Sequence, residues 1–272
     1  MPPERVDRRE VVRSEAAFWD KWAEDNEHLL LRKVPTIGDL GDPFVRSSNE
    51  RFVKGIGTFE GLRILDIGCG LGSLSLYAAS KGADVVGIDL ARGMARRCRR
   101  QSKALHLDGE FIVGDAENLP FEDGCFDRVI GERTVHHFPD LKRFFEEVQR
   151  VLAVGGKAAF IEPQKNNPIV EINRKLLRPE GRTFHEHPLV PDDIRVAQSC
   201  FRHTEVETFY LISPISFLFR YFIKNERLFE STFKSLQYAE KGMASWKPLW
   251  PYCWQILLLM TKESPSLSSL HR

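Results

Sequence analysis

An excess of charge of either sign is missing from this sequence. Lys and Arg number 39 against 38 Asp and Glu, a net charge of +1, so no global field steers the chain to nucleic acid or an anionic membrane. Any charged partner has to be met by a local patch. Cysteine is sparse as well: Cys69, Cys98, Cys125, Cys200 and Cys253 are scattered, which excludes a dense disulfide framework and a paired-cysteine metal site and suits a reduced interior. Long apolar runs are absent. Residues 209–223 are interrupted by Ser213, Pro214, Ser216 and Arg220, and 249–260 by Pro251 and Gln255, so neither supplies the roughly 20 apolar residues of a spanning helix. The first residues are charged throughout and carry no apolar secretory core, which makes the expected location cytoplasmic. Repeats and low-complexity stretches are missing too.

What is present is alternation. Phe18, Trp19, Trp22, Leu29 and Leu30 sit among acids and bases, predicting an amphipathic helix over 14–31, and two prolines and two glycines make 35–48 a loop. Short apolar runs at 63–67, 85–90, 110–113, 126–131 and 157–161 then read as five strands. Between them, 73–81 reads as a helix ended by Gly82. Residues 141–152 read as another, with Leu141, Phe144, Phe145, Val148, Val151 and Leu152 on its buried side and Gly155 and Gly156 closing it. Strand alternating with helix predicts an α/β fold with a parallel sheet covered on both faces. Residues 163–190, rich in proline, asparagine, arginine and histidine, read as an insertion above the sheet. Asp192 and Asp193 cap a short helix ending near Cys200. Residues 206–212 and 254–260 are two late strands separated by about 40 residues of helical propensity. The serine-rich 265–272 is a flexible tail.

In an open parallel sheet, ligands bind at the carboxyl ends of the strands, near the point where the strand order reverses. Gly68, Gly70 and Gly72 follow the first strand, two residues after Asp66, in a Gly-x-Gly-x-Gly spacing that differs from the Gly-x-Gly-x-x-Gly of dinucleotide folds. Without Cβ atoms the loop turns tightly and lets its backbone approach a ligand, and the helix beginning at Ser73 offers free N-terminal amides. Asp89 ends the second strand, where a carboxylate can hold the two hydroxyls of a ribose. Asp115 follows the third. Each of these acids taken singly can also be turn chemistry.

The combination resembles class I S-adenosylmethionine-dependent methyltransferases, above all the group typified by ubiquinone and menaquinone biosynthesis enzymes and natural-product methyltransferases. The resemblance rests on Asp66 to Gly72, Asp89, the run from Gly114 to Phe121, and Phe126-Asp127 through His136-His137 to Gly155-Gly156, and covers residues 48–163. It implies a seven-stranded Rossmann-like methyltransferase sheet with helices on both faces, the last strand antiparallel. It also implies an N-terminal helical segment over the cofactor in residues 1–47, a main domain over 48–264, and cap insertions after strand 5 (163–190) and between strands 6 and 7 (213–248). For the cofactor, S-adenosylmethionine, it implies that Asp66, Gly68, Cys69, Gly70 and Gly72 surround the methionine part. Asp89 with Leu90 would meet the ribose, Asp115 the adenine amino group, Ala116 the ring, and Glu132 the methionine amine. The product would be S-adenosylhomocysteine.

Methyl transfer to a hydroxyl needs alignment and a base for the proton. In small-molecule O-methyltransferases with a similar Leu-His-Asp-Trp stretch, the histidine is that base, and His136 is its counterpart. Here His137 replaces the acid and Phe138 the tryptophan, so His136 and His137 stand either as catalytic groups or as satisfied structural histidines. For the acceptor, Arg133, Glu162, Arg178, Arg182 and His185 are the candidates, an arginine fork suiting a carboxylate or phosphate. The alternative for this region is a lid with surface charges. His185 and His187 around Glu186 do not complete a metal site. Arg96, Arg97, Arg99, Arg100 and Lys103 read as the solvated face of a helix rather than a nucleic-acid surface. The aromatic 209–223 reads as a cap packed on its own sheet, or as contact with a greasy acceptor or a membrane surface. The expectation is a methyltransferase for a small, lipophilic, natural-product or quinone-like acceptor, more readily at oxygen. The rival is a cofactor-binding fold used for interaction or other chemistry.

Overall fold

A period of two runs through the apolar segments and sorts their side chains to opposite faces of a sheet. In β1 (Arg63–Ile67) Leu65 and Ile67 join one buried cluster and Ile64 the other. In β5 (Leu152–Pro163) Ala158 and Phe160 face one way and Ala159 and Ile161 the other. The remaining strands are β2 (Asp84–Asp89), β3 (Glu110–Val113), β4 (Phe126–Glu132), β6 (His203–Phe209) and β7 (Gln255–Thr261). The computed structural model describes residues 7–28, 31, 33–40, 45–177, 186–243 and 246–264. Its seven strands form one sheet in the order β3-β2-β1-β4-β5-β7-β6, with only β7 antiparallel to its neighbours. The expected seven-stranded α/β architecture, antiparallel last strand included, is therefore present. The order reverses between β1 and β4, which sets a crevice at the carboxyl ends of β1, β2 and β4.

Helices cover both faces. On one, α5 (Leu141–Val151) buries Phe144, Phe145 and Val148, and α7 (Pro191–Cys200) packs beside it. On the other, α2 (Arg46–Ile56) and α3 (Ser73–Ser80) bury Phe52, Ile56, Leu74 and Tyr77. The predicted loop over 35–48 is thus cut short by α2, whose apolar face the composition of 35–48 does not reveal. The first helix, α1 (Arg8–Asp25), starts earlier than predicted because Asp7 caps it through the Arg9 amide, and it ends where Asn26 bonds back to the Trp22 carbonyl. Leu29 and Leu30 lie outside the described residues, as do Arg178, Arg182, His185 and the 265–272 tail. α1 packs on α4 (Arg92–Ala104) through Ala23, Trp19 and Trp22 against Ala91 and Met94. That contact corrects the solvated-face reading at Arg97 alone, which is buried and donates to the Asn26 carbonyl; Arg96, Arg99, Arg100 and Lys103 are exposed, Arg100 pairing with Glu27 at the surface.

Two boundaries differ for identifiable reasons, and one segment holds an element that was not expected. Gly155 and Gly156 do not end a helix; α5 stops at Val151 and the chain enters β5 directly, with Gly155 (φ 78°) bending the strand. β6 leaves the sheet at Phe209 rather than 212, because Tyr210 turns with φ 65° and the amides of Ile212 and Ser213 are taken by Glu240. The 163–190 region contains a helix, α6 (Pro168–Leu177). Between β6 and β7, a 3-10 turn (Ser213–Ser216) leads to α8 (Phe217–Tyr221) and α9 (Glu226–Glu240). This segment has its own aromatic cluster of Tyr210, Phe217, Phe229 and Phe233.

Candidate active site

The glycine loop is held open by its neighbours. Gly68 has φ 66°, and a Cβ there would run into the Thr134 side chain; its amide and that of Cys69 both donate to the Ile88 carbonyl, 2.8 and 3.2 Å away. Gly72 has φ 80° and caps α3, where a Cβ would come within 3.0 Å of Cys98 Sγ. Only glycine fits these left-handed positions without strain. The Gly70 amide donates to Asp89 Oδ2 at 2.9 Å, and the Ala91 amide to Oδ1 at 2.9 Å, so the Asp89 carboxylate is oriented by backbone on both sides. Burial raises its pKa above the ordinary carboxylate value, against these two bonds.

Asp66 lies beneath the loop, 1% exposed, and accepts from Ser75 Oγ at 2.5 Å. Burial, with Glu132 and Asp89 nearby, pushes its pKa up to about 7. Among the described residues no cation pairs with it. Three carboxylates around one glycine loop therefore fit a ligand that brings positive charge and hydroxyls, and no described cluster has the make-up of a metal site. The cavity above has a volume of about 870 Å³, room for a cofactor and an acceptor together. Gly68, Cys69, Gly70, Asp89, Leu90, Asp115, Ala116, Glu132 and Arg133 line it, whereas Gly72 is set back at the start of α3.

At the β3 end, Asp115 accepts from the Glu117 amide at 2.9 Å and pairs with Arg8 Nη2 at 2.5 Å; Arg8 Nε also pairs with Glu117. Glu117, 1% exposed, further accepts from the Asp140 amide at 2.7 Å. Burial raises its pKa and the Arg8 charge opposes that rise. Arg8 thus clamps α1 to the β3 end. Neither it nor Glu117 stands out in the sequence, because the contact joins positions more than a hundred residues apart.

Opposite the glycine loop, His136 and His137 sit on a 3-10 turn (Val135–His137) after β4. Glu162 does not face the cavity as a substrate ligand would. It is fully buried behind His136, accepting the Thr134 and Val135 amides on Oε1 (2.8 and 2.9 Å) and meeting His136 Nδ1 with Oε2 at 2.6 Å. A carboxylate already taking two amide hydrogens serves as acceptor for the third contact too, which puts the histidine proton on Nδ1. Nε2 then carries the lone pair, 3.7 Å from Glu186 Oε1, and His136 lines the cavity. Burial, the largest influence, holds the His136 pKa below its usual value despite Glu162. His137 lies against His136 with ring centroids 4.2 Å apart and planes tilted by 37°, meets Trp19 edge to face, and places Nδ1 3.2 Å from Glu15 Oε2. Glu15, Trp19 and Trp22 bring α1 into the wall. The far end is formed by Asn173 and Arg174 of α6 with Phe217, Tyr221 and Trp254.

Residues 65–160 match the family described as a methyltransferase domain. Tocopherol O-methyltransferase of Arabidopsis thaliana is 40% identical over 165 residues, covering 56% of this chain and 47% of that protein. Malonyl-[acyl-carrier protein] O-methyltransferase of Geobacter sulfurreducens is 40% identical over 160 residues, covering 57% and 53%. The chain spans about half the length of these curated relatives. Among solved structures, geranyl diphosphate C-methyltransferase of Streptomyces coelicolor, a complex containing S-adenosyl-L-homocysteine, shares the fold with a TM-score of 0.60. It is 16% identical and covers 93% of this chain and 98% of that one.

Proposed function

We propose that the chain, whose residues 65–160 match a methyltransferase domain, is a class I S-adenosylmethionine-dependent methyltransferase that methylates a hydroxyl oxygen of a lipophilic small molecule with His136 as general base. The observation that carries this reading is the buried Glu162–His136 contact with Nε2 left toward the cavity. When bound, S-adenosylmethionine supplies an electrophilic methyl group. Asp89 holds the ribose hydroxyls, Asp115 and the Ala116 backbone the adenine, and Asp66, Glu132 and the glycine loop the methionine part. The apolar end formed by Phe217, Tyr221 and Trp254 receives the body of the acceptor and excludes water. His136 Nε2 takes the hydroxyl proton as the oxygen becomes the nucleophile, and Glu162, on Nδ1–H, stabilises the imidazolium and fixes the ring. His137 buttresses that ring through its tilted ring contact, with Glu15 on its other side.

Oxygen is favoured over carbon or nitrogen because a base so arranged is needed most where a hydroxyl must lose its proton. The lipophilic class rests on the aromatic far end and agrees with the tocopherol named for one relative. The test is to incubate the protein with methyl-labelled cofactor and a fractionated lipid extract and identify labelled products by mass spectrometry. Label on an ether oxygen is expected; label on an ester oxygen would mean a carboxylate acceptor, which needs no base, and would overturn the role of His136. Label on carbon or nitrogen overturns the oxygen assignment, and no label in any fraction favours a fold that binds the cofactor without transferring its methyl.

A further inference from the structure

Tyr221 belongs to two surfaces at once. It lines the cavity with Phe217 and Trp254, yet it is 44% exposed. The short helix that carries it and the turn after it are also apolar outward: Leu218, Phe222 and Ile223 are 45%, 58% and 58% exposed, with Ile215 and Leu228 exposed beside them. The core of this segment does not need these side chains. Its stacked Phe217 and Phe229, with Phe233 and Tyr210, close without them. A cluster of large apolar side chains left outside a finished core marks a surface that meets something.

Charge narrows what that is. No acidic residue occurs between Glu207 and Glu226. Within the tip, Arg220 is held back, paired with Glu226 at 3.0 Å and stacked over Phe229. Lys224 and Arg227, by contrast, are exposed and form no ion pair among the described residues. α6, which packs against the 213–216 turn, adds exposed Ile172 and Lys175. Apolar side chains interleaved with the two bases Lys224 and Arg227, the one acid of the tip, Glu226, being taken up by Arg220, suit an anionic lipid interface, where the former enter the acyl boundary and the latter meet headgroups.

We infer that the 215–228 tip docks on an anionic lipid surface and seats the cavity mouth there, so that an acceptor passes from the lipid phase into the cavity along Tyr221. The docking rests on the exposed tip alone; the passage of an acceptor rests on the lipophilic reading proposed above. No helix of the described residues is long and apolar enough to cross a membrane, so the contact is peripheral and reversible.

Sedimentation of the full chain with vesicles tests this, comparing phosphatidylcholine alone with a mixture of phosphatidylcholine and phosphatidylglycerol. Binding to the anionic vesicles is expected, with at least about a tenfold loss of partitioning in a Leu218→Asp/Phe222→Asp double variant. Lys224→Glu with Arg227→Glu is expected to remove several-fold of the anionic preference. Calorimetric binding of S-adenosylhomocysteine should stay unchanged in both, which establishes that they are folded. Absence of binding to either vesicle, or binding that the aspartates leave intact, overturns the inference. So does a dimer of the free chain that the same substitutions dissolve, since the tip would then belong to a second copy. A chain that docks but labels no acceptor keeps the docking and overturns only the acceptor reading.

Discussion

The two ends of the cavity are built in opposite ways. The glycine-loop end draws on residues 66–117, is shaped by backbone, and aims its carboxylates with amides: Gly70 and Ala91 on Asp89, Glu117 on Asp115. The rest of the cavity, from the turn after β4 to the far end, draws on that turn, α6, α8 and the residue before β7, and is shaped by side chains that meet only in the folded chain: His136, Asn173, Phe217, Tyr221, Trp254. Under the proposed function the cofactor would be met by the part of the sheet that cannot change without losing the strand ends, and the acceptor by helices hung on the sheet, which can change at little cost to it.

The comparison predicts that damage to the far end lowers turnover and spares cofactor affinity, and that damage to the loop end does the reverse. The largest effect is expected for His136→Ala. Its kcat on the labelled acceptor should fall by about 10² or more while S-adenosylhomocysteine affinity is unchanged in calorimetry; retained turnover would return His136 to a structural role. Because burial lowers its pKa, the ring keeps its free lone pair until the pH falls through that lowered value. The acid limb of the kcat profile should therefore lie below about pH 6.5, the ordinary histidine value. Next in size, Asp89→Ala removes charged hydrogen bonds worth about 1.5–3 kcal/mol each, so the Kd for S-adenosylhomocysteine should rise at least tenfold. An unchanged Kd would dissolve the distinction between the two ends.

These two ends were also unequally legible in the sequence. β1 to β4, the glycine loop, Asp66, Asp89 and Asp115 can be read directly, since a period of two and left-handed glycines are local signals that leave a mark within a few residues. The Glu162–His136 pair escaped because its partners lie on β5 and on the turn after β4, and sequence spacing carries no record of which strands are neighbours. Arg97 was misread for the same reason: a basic run on a helix looks solvated until α1 is laid across it. The β6 boundary slipped because Glu240, thirty residues on, takes the amides that would otherwise have continued the ladder.

A smaller effect separates charge from shape within the loop end. With its pKa raised to about 7, Asp66 keeps a proton in the folded state that the unfolded chain, near 3.8, has already released. Its contribution to stability is present below that unfolded value and is lost as the pH rises through 7. Asp66→Asn should therefore raise the Tm at pH 8 by at least about 3 °C in the ligand-free protein, and the gain should shrink toward pH 5. An equal gain at both pH values would mean that packing, not charge, sets the cost.

The smallest effect is expected where the two ends are tied together. Arg8 carries α1 from the cavity wall to Asp115 and Glu117, but its side chain is about a third exposed, so solvent screens the pair. Arg8→Ala should weaken S-adenosylhomocysteine binding about two- to fivefold. The direction matters more than the size. Weakening means that Arg8 serves the site by neutralising Glu117, a buried carboxyl whose pKa burial already raises, and by holding Trp19 and Glu15 against the histidines. Tightening would mean that Arg8 competes with the ligand for Asp115. In that case α1 would belong to the closed, ligand-free state, and only the far end would be complete without the cofactor.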